Sequence, residues 1–449
     1  MLTYTGTQGT TYKTLDPPLG KGGEGAIHRI NDMPDYVAKI FEENKRTETR
    51  HRKLLAMLST PLPQTAMDQI TWPLDVLYRN GHFAGYVMRA LKNTEQLNII
   101  YTGKYNFSLS DKITMAKNLC AVVNVVHTAG QVCGDLNPKN ICLDPKNAMV
   151  TLVDTDSYHI TDKDSDKLYR CEVGLPEYLP LEVQNKMRNG LSLSTAPLPT
   201  YDKYSDLFAL AVHIFALLMN GCHPFACAID NGPVSIGQLT AYQPSVAAPQ
   251  PIDNITNGFY PFISRKKGIT TPIYAPSITM LPQNIQDLFR KAFVDGHTNP
   301  DRRPDAETWF RALDTMKDTL IDCVVDRYHK YPGHNPECPW CGIETIMKKP
   351  IPVLRPPRPV YHTSTKRNRI NWIIMLGFLS SIAAFIGLYL INPAIQIVIG
   401  VFAVTVSRIG FLQARKKRQR GDSLAVIGMT IGVLAIVIVA VNTLILALL

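Results

Sequence analysis

Two carboxylates and one side-chain amide are spaced in this chain as a centre for metal and nucleotide phosphates requires. Asp135 and Asn140 lie in the segment CGDLNPKN, and Asp154 follows the next apolar run, in VDTD. Carboxylate and amide oxygens are the ligands that magnesium takes in proteins, and magnesium in turn binds phosphates. The three residues therefore predict a site for phosphate chemistry, which other elements of the chain must position.

A glycine-rich turn and a lysine precede this centre. Gly20, Gly22 and Gly25 lie in LGKGGEGAI, where the missing side chains would let backbone amides approach phosphates. Fourteen residues after Gly25, Lys39 interrupts the apolar run YVAKIF, which has the character of a short buried strand. A solvated edge-strand lysine is the alternative for Lys39, but the preceding glycines favour a phosphate-binding role.

In this order, the segments resemble the signature of the protein kinase superfamily over about residues 15 to 315. The strings GDLNPKN, LVDTDSYHI, CEVGLPEYLP and FALAVHIFALLMNGCHPF are similar to a bacterial family of predicted kinases, often encoded beside a metal-dependent Ser/Thr phosphatase and a von Willebrand A-type protein. The resemblance implies an α+β, bilobal kinase-like fold over residues 1–318, with an N-lobe of about 1–100 and a C-lobe of about 101–318.

The resemblance also implies a role for each residue of the centre, with ATP and Mg2+ as cofactors. Asp135 would orient the acceptor hydroxyl and take its proton, and Lys139 would bring positive charge to the γ-phosphate. Asn140 and Asp154 would hold magnesium. Lys39 would pair with the α- and β-phosphates, beneath the glycine turn.

An active kinase also needs a helical Glu that holds the lysine. Residues 44–58 are helix formers, and Glu48 shares a stripe with Arg52 and Leu55. Glu48 is therefore the candidate partner of Lys39, and a surface Glu is the alternative.

The residues around the centre depart from the usual kinase letters. Cys133 and Gly134 replace the His and Arg before the catalytic Asp, so switching through a phosphorylated activation segment is less expected. Asp156 stands where the DFG motif has Gly, and it could bind metal or form a turn; the turn is favoured. Later in the chain, Glu182 is expected to pair with Arg303, and Asp206 is expected to brace the catalytic loop.

A small cysteine and histidine cluster follows the kinase-like region, within residues 319–347. Cys338 and Cys341 form a CPWC knuckle, and Cys323 with His329 could complete a tetrahedral Zn2+ site. His334 is the rival fourth ligand, and a set of packed or redox cysteines is the alternative to zinc.

Three apolar runs, at residues 370–391, 393–412 and 424–449, are each long enough to span a bilayer as a helix. A Pro-rich basic linker, residues 348–369, precedes them. Gly428 and Gly432 form a GxxxG motif in the third run, which could pack against a second copy of the chain to give a homodimer.

The basic charge of the chain belongs to this C-terminal part. The whole chain has 47 Lys and Arg, of which 13 lie from Thr345 onward beside a single acidic residue, Asp422. The preceding part has slightly more acidic than basic residues, so the nucleic-acid interpretation of a basic chain loses its support. The cation clusters predict a multi-pass protein of the cell membrane, with the kinase-like domain cytosolic and the C-terminus outside.

Two functions from different classes remain. The first is a membrane-anchored kinase in signalling that transfers the ATP γ-phosphate to Ser or Thr, with Tyr as the alternative acceptor, of a cytosolic protein; transfer to a small molecule is less favoured. Its expected partners include a cognate protein phosphatase and membrane lipid, and no nucleic acid. The second is a nucleotide-binding pseudokinase scaffold that transfers nothing.

Overall fold

The computed structural model describes residues 1–101, 104–229, 248–348, 372–387, 392–417 and 422–448. The chain divides into two compact units, Met1–Pro350 and Ile351–Leu449. The predicted linker of residues 348–369 lies outside the described residues, except for Lys348 at the end of a helix. The basic cluster at residues 366–369 lies outside them as well, and of the basic cluster at residues 415–420 only Arg415, Lys416 and Lys417, at the end of a helix, are described.

The first unit begins with an antiparallel sheet of seven strands. The strands are β1 Leu2–Gly6, β2 Thr11–Thr14, β3 Gly20–Lys21, β4 Gly25–Ile30, β5 Met33–Phe41, β6 Asp75–Arg79 and β7 His82–Arg89. Their order across the sheet is β2-β1-β6-β7-β5-β4-β3. Lys39 lies on β5 directly opposite Ile27 of β4 and Tyr86 of β7. Because opposite residues of neighbouring strands share a face, Lys39 and Tyr86 lie side by side.

Helices dominate the rest of this unit. They are α1 Glu48–Ser59, α2 Leu109–Thr128, α3 Leu181–Lys186, α4 Lys203–Leu218, α5 Pro251–Thr256, α6 Gln283–Arg290, α7 Gly296–Thr298, α8 Ala306–Asp318 and α9 Pro339–Lys348. The mixture of an antiparallel sheet and helices agrees with the predicted α+β class.

Local sequence explains where the main helices begin. Thr47 caps α1, because its hydroxyl accepts the N–H of Arg50. A capping box of Ser108 and Asp111 starts α2, and Asp202 starts α4 in the same way. Nearly every residue of α4 is buried, as expected of a helix that is apolar all round.

Short strands connect these helices. They are β8 Glu95–Gln96, β9 Ile141–Leu143, β10 Val150–Leu152, β11 Ile160–Thr161, β12 Leu168–Tyr169, β13 Ala228–Ile229, β14 Ile269–Thr270, β15 Leu320–Asp322 and β16 Lys330–Pro332. The antiparallel pair β9 and β10 separates the loop of residues 131–140 from the triplet 154–156. This hairpin therefore sets the distance between the two halves of the predicted centre.

The second unit contains the helices α10 Trp372–Ile386, α11 Pro393–Lys417 and α12 Asp422–Leu448. Two stretches, Pro393–Gln413 and Ser423–Ile445, are long and apolar enough to cross a membrane. The third, α10, has 15 residues and is shorter than a bilayer requires. Residues 388–391, at the end of the first predicted span, lie outside the described part of the chain.

The glycines of the predicted dimer motif pack inside this unit. A Cβ atom on Gly428 would lie 2.8 Å from Ser407 Oγ, and one on Gly432 would lie 2.8 Å from Val404 Cγ2. The small residues therefore let α12 approach α11 of the same chain, and a second copy would need another face.

Candidate functional site

The loop of residues 131–140 is held by the buried carboxylate of Asp206, on α4. Asp206 Oδ2 accepts the N–H of Cys133 at 2.7 Å, and Oδ1 accepts the N–H of Gly134 at 2.8 Å. His127 Nε2 lies 2.9 Å from Oδ2. The expected brace is therefore confirmed, and it anchors the loop to α4, which is buried along nearly its whole length.

The loop brings Asp135 and Asn140 into contact. Asn140 Nδ2 donates to the backbone O of Asp135 at 3.0 Å and to its Oδ2 at 3.2 Å. The amide nitrogen is thus committed to Asp135, which leaves the amide oxygen of Asn140 as the atom that can bind a cation. Lys139 lies between them with an exposed side chain, and its N–H donates to Asn137 Oδ1.

Asp154 follows β10 in a left-handed backbone conformation, with φ of 59° and ψ of 38°. Asp tolerates this region better than most side chains, and non-Gly residues in it cluster at functional sites. The next residue, Thr155, is buried and donates through Oγ1 to the backbone O of Thr71 at 2.7 Å. Backbone and side chain together therefore hold the carboxylate of Asp154 in one place.

Lys39 is the residue that joins the sheet to this centre. Its side chain is buried, and Nζ lies 2.8 Å from Asp154 Oδ1 and 2.6 Å from Asp156 Oδ1. Tyr86 donates its hydroxyl to the same Asp156 oxygen at 2.7 Å. The 3-10 turn at Thr155–Ser157 is closed by backbone bonds, so the Asp156 side chain serves as an ion-pair partner. Sequence reasoning favoured a turn-forming role and missed this contact.

Burial and charge act in opposite directions on these groups. Burial alone would lower the pKa of Lys39, but attraction by Asp156 and Asp154 outweighs it and raises the pKa. Burial and then the neighbouring Asp156 raise the pKa of Asp154. For Asp156, burial would raise the pKa, but Lys39 outweighs it and holds the pKa below its usual value. Lys39 is therefore charged, and Asp156 is its ionised partner.

Glu48 is placed elsewhere. Its carboxylate is 66% exposed and pairs with Arg52 at 2.7 Å and with His51 at 3.6 Å. These contacts lie within the first turns of α1, so the structure does not bring Glu48 to Lys39. Glu48 is therefore an exposed surface residue, as in the alternative to its pairing with Lys39.

The three predicted glycines have different surroundings. A Cβ atom on Gly25 would lie 2.2 Å from the backbone O of Ile40, so Gly25 allows β4 to approach β5 closely. Around Gly20 and Gly22, a Cβ atom would meet nothing within 4 Å. The first two glycines therefore leave open space at the turn, where a phosphate could approach the backbone.

Gly134 explains why the usual loop arginine is missing. Its φ is +77°, and an added Cβ would lie 2.8 Å from Cys171 Cβ and 3.3 Å from the Tyr201 ring. A larger side chain has neither the backbone freedom nor the space there. The segment around Cys171 is thus packed directly against the loop, without an arginine between them.

Two histidines hold the segment PEY, residues 176–178, against α4. The ring of Tyr178 stacks on His213 with centroids 4.8 Å apart, and it meets His223 edge-on at 6.0 Å. His223 donates from Nε2 to Glu177 O and accepts at Nδ1 from the N–H of Phe225. This pattern requires a neutral ring. Burial lowers the pKa of His213 and of His223 to about 4.

Acidification is expected to destabilise the domain through these histidines. Because the folded-state pKa of about 4 lies below the usual 6.5, their contribution to stability is complete above pH 6.5 and is lost as the pH falls toward 4. For His213 alone the loss amounts to about 2 kcal/mol at pH 5. We expect the double variant H213Q/H223Q to show a smaller drop in melting temperature between pH 7 and pH 5 than the wild type. Equal drops would contradict this assignment.

The residues present suit magnesium. Asp135 Oδ1 and Asp156 Oδ2 are buried and have no hydrogen-bond partner within the described ranges. Buried orphan carboxylate oxygens are costly unless a cation or another donor meets them. Asp156 is paired with Lys39 through its other oxygen, so the oxygen donors of the kind that magnesium prefers would be those of Asp135, the amide oxygen of Asn140 and the half-exposed carboxylate of Asp154.

A second cluster joins Cys323, His329, Cys338 and Cys341, whose ligand atoms lie within 4.8 Å of one another. Cys323 and Cys341 Sγ are 3.6 Å apart, and His329 Nδ1 lies 3.5 Å from Cys341 Sγ and 3.7 Å from Cys338 Sγ. Tetrahedral zinc, with bonds of about 2.3 Å to S and about 2.0 Å to N, separates its ligands by roughly 3.5 to 3.8 Å.

The surroundings of this cluster distinguish between the two candidate histidines. Glu344 Oε1 lies 3.2 Å from His329 Nε2, as for a carboxylate that orients a metal-binding imidazole. His334 instead directs Nε2 to the backbone O of Thr279 at 3.3 Å. The structure thus groups the four residues predicted from the sequence and excludes the rival histidine from the group.

Comparison with known proteins agrees with these motifs, although no protein-family model matches the chain. The chain is 28% identical over 347 residues to protein kinase YegI of Escherichia coli strain K12, covering 74% of this chain and 49% of the relative. The O157:H7 protein of the same name is 29% identical over 342 residues. Ribosomal protein S6 kinase 2 alpha of Gallus gallus is 26% identical over 208 residues, covering 46% of this chain and 24% of the relative.

All three relatives are named as kinases, and the similarity to them supports membership of the chain in the protein kinase superfamily. It spans about half the length of the YegI proteins that it matches.

Proposed function

We propose that this chain is a protein kinase that transfers the γ-phosphate of ATP to a Ser or Thr hydroxyl of another protein. The observation that carries the proposal is a set of two pairs, Asp135 with Asn140 on the loop and the buried Lys39 with Asp154 between the sheet and the triplet. The segments of the two pairs are linked by the backbone, where the N–H of Val153 donates to Asn140 O at 2.9 Å. A scaffold has no chemical need for all four.

The proposed roles follow from position and charge. Asp135 orients the acceptor hydroxyl and takes its proton, while the exposed ammonium of Lys139 neutralises charge on the transferred phosphate. Lys39 binds the α- and β-phosphates after leaving Asp154. The backbone at Gly20 and Gly22 covers the phosphates between an N-lobe and a C-lobe. Magnesium, when held by Asn140 and Asp154, would neutralise charge on the phosphate oxygens.

One observation favours a nucleotide-binding scaffold as the second candidate. Lys39 Nζ is committed to two carboxylates, whereas phosphate binding requires at least one of these contacts to be given up. The kinase proposal therefore needs Asp154 to exchange Lys39 for magnesium when the nucleotide binds.

Incubation of the full chain, in detergent or lipid, with γ-labelled ATP, magnesium and a mixture of proteins tests the proposal. We expect label on Ser or Thr after acid hydrolysis, and an increase of the melting temperature with ADP. An increase in melting temperature without label on any residue would favour the scaffold. Label on Tyr would change the acceptor but not the reaction.

We further propose that the C-terminal helices hold the kinase domain at the cytosolic face of the cell membrane as a multi-pass anchor. In the two long apolar stretches only 28% of the residues are buried. Large side chains such as Val398, Phe402 and Leu444 are more than half exposed, which suits lipid and not water. In sealed, inverted membrane vesicles the cytosolic face is on the outside. We expect protease added to such vesicles to cleave the kinase domain and to leave the C-terminal unit protected.

Zinc is the proposed occupant of the cluster around His329. The segment has short strands and one short helix, so a metal would provide much of its stability. We expect a strong chelator to release one zinc ion per chain and to expose residues 319–348 to proteolysis. The variant C338S should show the same cleavage without chelator, while C227S, outside the cluster, should not. A metal-free wild type that resists protease would contradict the proposal.

A further inference from the structure

The unusual feature of the centre is the second carboxylate of the triplet. Kinases hold their phosphate-binding lysine with a Glu from a helix. Here the shortest contact of Lys39 Nζ is the 2.6 Å pair with Asp156, two residues beyond Asp154. The side chain of Asp156 is only 2% exposed, against 38% for Asp154. Of the two partners, Asp156 is thus the one that solvent and ligands cannot reach.

Helix α1 offers no carboxylate on the side that faces the sheet. Glu48 is its single acidic residue and lies in solvent with Arg52. The buried side of the helix carries cations instead. Arg50 binds Glu24 at 2.6 Å beside the glycine turn, and the buried Lys53 donates to the backbone O of Arg170 at 3.2 Å.

The charges have therefore exchanged positions relative to an ordinary kinase. The helix contributes a buried basic side chain, Lys53, which donates to the backbone O of Arg170, and the triplet contributes the buried carboxylate that pairs with Lys39. A Glu on α1 beside Lys53 would add a second anion to Asp156, which is already paired with Lys39.

The pairing of β5 with β7 gives Asp156 a further contact, with Tyr86. Tyr86 is directly opposite Lys39, and its hydroxyl donates to the same Asp156 oxygen at 2.7 Å. The carboxylate is thus fixed by two groups from neighbouring strands, both of which belong to the sheet. Neither contact depends on where α1 lies.

We propose that Asp156 is the positioning residue of this site, which holds Lys39 for the phosphates of ATP in the place of a helix carboxylate. The proposal rests on the proposed kinase function. It assigns an order of exchange: the exposed Asp154 releases Lys39 to the phosphates, and the buried Asp156 retains it. The metal ligand and the lysine anchor lie on one turn, so both are set by the same residues and not by movement of a helix.

A double-mutant cycle with K39M and D156N tests this assignment on the full chain. Both single variants are expected to lower kcat by about a hundredfold, because a misplaced lysine misorients the phosphates. The double variant should be no worse than K39M, and KM for the acceptor protein should not change. D164N, an Asp-to-Asn change in an exposed loop, is the matched control. Additive losses in the double variant, or a D156N variant as active as D164N, would overturn the proposal.

The helix alternative is tested in parallel with E48Q. If kcat falls with E48Q and not with D156N, a helix carboxylate holds Lys39 and the proposal is overturned. Should D156N fail to fold, Y86F removes only the hydroxyl that orients the carboxylate. It is expected to lower kcat by about tenfold, and unchanged kcat would count against the assignment.

ADP affinity, measured by calorimetry on the same proteins, separates this proposal from the proposed function. If the wild type binds ADP but transfers no phosphate, the kinase proposal fails. Equal and non-additive losses of affinity in K39M and D156N would then still support the role of Asp156. A loss in K39M alone would overturn it. If the wild type binds no ADP, both proposals fall.

Discussion

Replacing Asp154, the proposed magnesium ligand, with Ala is expected to lower the rate of phosphoryl transfer by at least about a thousandfold, because magnesium would lose a ligand at the transferred phosphate. The same change should remove the dependence of nucleotide affinity on magnesium. Lys39 keeps its buried partner Asp156 in this variant, so its position is retained. The loss would therefore report the metal and not a collapse of the lysine site.

Two measurements establish that cause. ADP affinity is measured with and without magnesium, and the melting temperature shows whether the variant is folded. Asp144, at the start of the turn between β9 and β10, provides the control D144N, because its Oδ1 accepts only a local N–H, that of Lys146, at 2.9 Å. A D154A variant whose ADP affinity still rises with magnesium would show that Asp154 is not a metal ligand.

Replacing Glu182 with Ala is expected to cost about 3 to 5 kcal/mol of stability, because it leaves a buried guanidinium without its anion. Arg303 is only 1% exposed in its side chain, and its two terminal nitrogens contact the two oxygens of Glu182 at 2.5 and 2.9 Å. The same nitrogens also donate to the backbone O of Tyr204 and of Gly296. One ion pair thus joins α3 to α4 and α7.

Chemical denaturation of E182A and of the double variant E182A/R303M measures this cost. Met fills much of the volume of Arg without its charge, so the double variant should recover part of the stability lost by E182A. The exposed pair of Glu307 and Arg311 gives the control, and E307A should lose less than about 1 kcal/mol. Equal losses in E182A and E307A would contradict the buried-charge argument.

The residues of the centre could be predicted from the sequence because they lie close together along the chain. Asp135 and Asn140 lie on one loop, five residues apart, and the hairpin to Asp154 is short. Motif order then predicted contacts over long separations, such as Glu182 with Arg303. The Cys and His spacing of the knuckle similarly predicted the group that the structure assembles.

The pairing of Lys39 with Asp156 could not be predicted in this way. The opposition of Lys39 and Tyr86 depends on the register of β5 and β7, which the sequence does not show. The helical spacing of Glu48, Arg52 and Leu55 predicted that they share one face of α1. It did not predict how α1 is rotated relative to the sheet, and so whether that face meets Lys39. The available signal was the second Asp of the triplet, since a buried apolar strand with a lysine needs an anion nearby.

Small residues of the C-terminal helices show a similar limit. The GxxxG spacing of Gly428 and Gly432 predicts close helix packing, and the structure has it. Spacing alone does not say whether the neighbouring helix belongs to the same chain. Composition predicted three spans, and for two of them the described residues contain helices long enough to cross a membrane. Both ends of the first predicted span lie outside the described residues.

The most direct test of the kinase account is the rate of a single turnover of γ-labelled ATP in the wild type and in D135N. We expect a fall of about a hundredfold to ten-thousandfold in D135N, the range of general-base catalysis, with ADP affinity unchanged within about twofold. Asn keeps the size of Asp135 and can still bond to Asn140, so folding should be retained. Equal single-turnover rates in the two proteins, or no transfer by the wild type while ADP binds, would contradict the claim that this chain is a protein kinase.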